Sequence, residues 1–95
     1  MVDVTRLTFQ IDAEGPQLTV KGRMAWALHE LVHAGERGCT PIERPAPRWS
    51  DYIFKLRKAG LAIDTVDEAH GGAYSGSHGR YVPRSPVLVI EEVRR

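Results

Sequence analysis

Leu7, Phe9 and Ile11 alternate with Thr8 and Gln10, the two-residue period of a strand with one face buried. The turn residues Asp12-Ala13-Glu14-Gly15-Pro16 follow, and Gln17-Leu18-Thr19-Val20 reads as the returning strand, so residues 4–20 form a hairpin. From Gly22 to Ala34 the period lengthens to that of a helix. Met24, Leu28, Leu31 and Val32 fall on one face with Ala25 and Ala27 at its edges, and Gly35 and Gly38 end it where the chain must turn left-handed. Trp26 projects near the opposite face with His29, Glu30 and His33, so either a terminal strand covers the indole or it sits at a partner surface.

Thr40-Pro41-Ile42-Glu43 has the spacing of a capping box, with proline at the first helical position. Pro45 and Pro47 stop that helix within a turn. A third helix then runs to Gly60, with Trp49, Ile53 and Leu56 on its buried face. Asp51, Phe54, Lys55 and Lys58 point the other way, flanked by Arg48, Ser50 and Arg57. Leu61, Ile63 and Val66 suggest a strand, and Arg80-Tyr81-Val82 its return after a mobile Gly/Ser loop over His70–Gly79. The return is short or lies at a sheet edge, because Pro83 and Pro86 have no N–H to donate. Val87-Leu88-Val89-Ile90 reads as a last buried strand beside the N-terminal hairpin, and Glu91 to Arg95 is expected to fray.

At 95 residues the chain is long enough for one domain with one core. No apolar run is long enough to span a membrane, and the first residues lack the pattern of a secretory signal. Cys39 is the sole cysteine; it is expected to be a small, partly buried residue in a reducing cytoplasm. The formal charge of +1 says little, but its distribution is uneven. Arg37, Arg44, Arg48, Lys55, Arg57 and Lys58 gather in the middle of the chain, with acidic residues before and after them. One basic face on a near-neutral protein suits a nucleic-acid binder.

The run Gly38-Cys39-Thr40-Pro41-Ile42, Pro47-Arg48-Trp49-Ser50, Leu56-Arg57-Lys58-Ala59-Gly60 and His70-Gly71-Gly72 to Arg80-Tyr81-Val82 resembles small winged-helix domain proteins of proteobacteria and their prophages, over roughly residues 22–86. The resemblance implies an α+β winged helix-turn-helix: a three-helix core over residues 22–60 and a C-terminal β-wing hairpin over 61–83. To these the chain adds the N-terminal hairpin and a terminal strand at 87–91. It also implies DNA binding by analogy of fold; the role expected for the chain is a small bacterial or prophage transcriptional regulator that binds double-stranded DNA.

A helix fits the major groove and its exposed side chains reach base edges. The DNA-contacting residues expected on that basis are Arg48, Ser50, Asp51, Phe54, Lys55 and Lys58 in the third helix. Tyr74, His78 and Arg80 in the wing would enter or straddle the minor groove. Lys55, Lys58 and Arg48 suit phosphates or guanine; Phe54 suits a thymine methyl. No catalysis, cofactor or membrane is expected. The main alternative is a protein-interaction winged helix or homodimer, favoured by Trp26, Phe54 and the extra terminal strands. A remote one is zinc: His29-Glu30-Leu31-Val32-His33 matches H-E-x-x-H. That motif needs a third ligand, and the remaining histidines, His70 and His78, lie in the wing, so the sequence assigns no metal site.

Overall fold

The computed structural model describes residues 4–41, 43, 48–70 and 76–94. Strands β1 (Val4–Ile11) and β2 (Gln17–Lys21) form the expected hairpin, followed by helix α1 (Arg23–Ala34) and a single 3-10 turn over Gly35–Arg37. Helix α2 (Trp49–Lys58) leads into β3 (Ile63–His70), β4 (Gly76–Pro83) and β5 (Val87–Arg94). The strands make two antiparallel sheets, one ordered β2-β1-β5 and one formed by β3 and β4. Cys39 bridges to Tyr81 by a reciprocal pair of backbone hydrogen bonds, N to O at 2.9 Å and 2.8 Å, which ties the chain after α1 to the β3–β4 hairpin.

β1 supplies the floor of the core through Val4, Leu7 and Phe9. The three-residue step from Val4 to Leu7 breaks strict alternation because the β1–β5 register shifts between Val4 and Arg6, and an extra residue in one strand reverses the facing of the residues beyond it. α1 packs over β1 and β2 on one side and against α2 on another. Its buried sector is therefore wider than a single apolar stripe: Ala25 and Ala27 are as buried as Leu28 and Leu31, whereas Met24 and Val32 are only half-buried. Trp49, Ile53 and Leu56 close the core from α2, as their spacing predicts, and Tyr52 joins them. Trp26 is half-buried and packs against Trp49, ring centroids 5.3 Å apart, with the Arg23 guanidinium over its ring.

Several expectations need correction. The three-helix core is not found: among the described residues there are two α-helices. Thr40 does accept the Glu43 N–H at 3.0 Å, but the Glu43 carboxylate turns to Arg37 and Arg80 instead of closing the capping box. Residues 42 and 44–47, where the rest of that short helix was expected, lie outside the described residues. The Gly/Ser loop is shorter than expected, since β4 already begins at Gly76 and pairs with His70. Val66, expected on the inner face of its strand, is exposed.

The last strand differs most. Leu88, Val89 and Ile90 are 45%, 43% and 47% exposed, because β5 is an edge strand and α1 lies across β1 and β2. The segment expected to fray belongs to this strand through Arg94, paired with Val4.

Candidate nucleic-acid interface

α2 separates its residues by period. Trp49, Tyr52, Ile53 and Leu56 are buried, and Ser50, Phe54, Lys55, Arg57 and Lys58 are exposed. Trp49 anchors the inner face, with its ring 5.3 Å from Trp26, 6.5 Å from Tyr52 and 6.1 Å from Tyr81. Aromatic clusters of this kind bury large areas in fixed geometry, so the helix is held by its first turn against both α1 and β4.

The outer face is laced together. Lys55 Nζ lies 3.1 Å from Asp51 Oδ2, one helical turn away. The Lys58 ammonium sits 4.8 Å from the centroid of the Phe54 ring, and that ring is 55% exposed. Arg48 is exposed where the helix begins. Ser50, Phe54, Lys55 and Lys58 thus share one accessible surface with the half-buried Asp51, and Arg48 lies where the helix starts.

Arg57, which the sequence places only at the flank, has a distinct position. Its Nε and Nη2 donate to the Ile63 carbonyl at 3.0 Å and 2.6 Å, and Nη2 also reaches Thr65 Oγ1 at 2.9 Å. This guanidinium fastens β3 to α2 and so sets the direction in which the hairpin leaves the helix. The i+6 spacing of arginine to a strand carbonyl carries no sequence signal of its own.

The wing residues are placed differently from the helix residues. Arg80 is held by Glu68, donates to Glu43 Oε1 at 2.9 Å, and donates to the Arg37 carbonyl at 3.1 Å. Glu43 also takes Arg37 at 2.8 Å. His78 Nε2 lies 3.2 Å from Glu68 Oε1. The hydrogen bonds from Arg37, then Arg80, hold the Glu43 carboxyl below its ordinary range, and that from Arg80 does the same for Glu68. Bonded in this way, the Arg80 guanidinium is raised. Arg80 and His78 therefore face acidic partners between β3, β4 and the 3-10 turn. Tyr74 lies outside the described residues.

On α1, the His29 and His33 rings lie with centroids 4.1 Å apart and planes tilted by 43°, and burial followed by the neighbouring His33 lowers the His29 pKa. Cys39 is buried and its thiol donates to the Glu30 carbonyl at 3.4 Å. Among the described residues no helix is long and apolar enough to cross a membrane.

No curated protein and no solved structure matches the chain. The winged helix domain family matches residues 17–93. That span opens at β2 and takes in α1, α2, the β3–β4 hairpin and nearly all of β5, leaving out β1. Matched over most of its length, the chain belongs to the winged helix domain family.

Proposed function

We propose that this protein is a small transcriptional regulator that binds double-stranded DNA through α2. Winged helix domains commonly bind DNA. The observation that carries the reading here is the two-sided α2: an aromatic inner face anchored on α1 and β4, and an outer face bearing Ser50, Phe54, Lys55 and Lys58. Lys55 and Lys58 meet phosphates or guanine edges, Arg48 holds the backbone where the helix starts, and Phe54 packs on a thymine methyl. Asp51 keeps Lys55 extended along the helix until phosphate replaces it. Regulation is by occupancy of the site, without catalysis. His78 and Arg80 support the wing from within.

Fluorescence anisotropy against random duplex DNA at about 50 and 200 mM salt tests this, since counterion release makes phosphate binding fall steeply between those concentrations. Wild-type protein is expected to bind with that salt dependence, and Lys55→Glu with Lys58→Glu to lose binding while remaining folded by circular dichroism. Absence of binding at the lower salt would sink the reading.

One observation favours a second reading, a protein-interaction module. Leu88, Val89 and Ile90 are exposed in sequence on an edge strand, the arrangement that natural proteins ordinarily blunt or cover.

A further inference from the structure

His29 and His33 stand one turn apart on α1, and the fold brings Glu92 of β5 against them. The ligand atoms of the three residues all lie within 4.8 Å of one another, with His29 Nε2 3.9 Å from Glu92 Oε1. His29 Nε2 is buried and makes no hydrogen bond, which for a polar ring atom is a cost that a partner would remove. The two oxygens of Glu92 are differentiated. Arg94 takes Oε2, through Nη2 at 2.6 Å and Nε at 2.8 Å, while Oε1 faces His29. Such a bond to the far oxygen orients a ligating carboxylate in the way outer-sphere partners do. Among the described residues, the group that stands beside the His-x-x-x-His pair is thus Glu92, from the opposite end of the chain.

We propose that His29, His33 and Glu92 form a binding site for a divalent first-row transition metal of the zinc class, clipping the edge strand β5 to α1. Two imidazoles and one carboxylate are the donor set of such ions and not of calcium or magnesium, which take oxygen ligands. Tetrahedral ligands at bonds of about 2.0–2.1 Å lie roughly 3.3 Å apart, so three atoms already within 4.8 Å of one another would have to draw only a little closer around the ion. His33 is exposed, so the metal enters from that side and keeps a solvent position as its fourth ligand. The Arg94 charge is already balanced by Glu92, and the site lies at an element junction, where a bound ion stabilises the folded chain over the unfolded one.

The full chain, stripped with chelator, is titrated with Zn²⁺ against a chromophoric competitor and with Co²⁺ by visible absorption, and its thermal unfolding is followed with each metal. The expected result is one saturable Zn²⁺ site per chain, tetrahedral Co²⁺ bands and a raised melting temperature, with no rise for Mg²⁺ or Ca²⁺. His33→Ala and Glu92→Gln should each weaken Zn²⁺ by at least about tenfold, the range known for lesser changes around metal ligands. Both side chains leave the apolar core intact, and the melting temperature of each metal-free variant checks its fold. Failure to bind, or binding that Glu92→Gln leaves unchanged, overturns the proposal, because the histidine pair alone would then be an ordinary helix-surface chelate.

Discussion

Arg80 stands in the wing with its side chain only 20% exposed, among Glu68, Glu43 and the Arg37 carbonyl. It joins three separate stretches of chain. Glu43 follows the capped turn at Thr40, Glu68 belongs to β3, and Arg37 ends the 3-10 turn. The stability this network supplies depends on pH with a definite sign. Both carboxyls have folded pKa values below the ordinary 4.5, so the unfolded chain binds protons first as pH falls. Their contribution is complete above about pH 4.5 and is lost as pH drops through the lowered folded values. Arg80→Met keeps the side-chain length and removes the cation. It should lower the melting temperature at neutral pH, and the variant's melting temperature should then fall less steeply than wild type below about pH 4.5. Parallel wild-type and variant profiles on that acid limb would show that Arg80 is not what depresses the two carboxyls.

At the scale of elements, α2 and the β3–β4 hairpin act as a unit through Arg57. Its bonds to the Ile63 carbonyl and Thr65 hydroxyl join the last turn of the helix to the first residues of β3. Replacing it with Leu retains the packing of the stem and removes the bonds. Hydrogen bonds from a charged donor are worth on the order of 1–3 kcal/mol, reduced here because the guanidinium is exposed. Amide exchange in Ile63–Val66 should therefore accelerate by about tenfold in Arg57→Leu, with the interior of α1 unaffected. Equal acceleration throughout would mean a global loss of stability and no local hinge.

These same elements show what the sequence could disclose. The inner face of α2 was legible because Trp49, Ile53 and Leu56 repeat at the helical period. The β1–β2 hairpin was legible from alternation and a turn-rich break. The exposure of Leu88, Val89 and Ile90 was not, since an unbroken apolar run reads the same in an interior strand as at an edge. Nor were the roles of Arg80 and Glu92. Each depends on residues that only the fold brings near, Glu43 and Glu68 for the first and His29 and His33 for the second. Trp26 likewise needed Trp49, whose meeting with it is set by the crossing of α1 and α2.

For the molecule as a whole, the open edge of β5 bears on how many α2 helices would meet one DNA site under the proposed function. A net charge of +1 gives two copies little reason to repel, and β5 offers both an unpaired ladder and apolar side chains. Pairing of two copies along this edge would carry two α2 faces on one complex and double the phosphate contacts. Leu88→Thr with Ile90→Thr keeps strand-compatible side chains while removing apolar surface from one side of β5. If β5 is the dimer seam, wild-type protein sediments as a dimer and this variant as a monomer. The variant's slope of log affinity against log salt should then be roughly half that of wild type, because about 0.9 of a unit is lost for every phosphate no longer neutralised. A wild-type monomer in sedimentation would end the dimer reading. A dimer that survives both threonines would place the seam elsewhere on the surface. A monomeric variant with an unchanged salt slope would show that DNA is engaged by one α2 at a time, and that association serves some end other than DNA affinity.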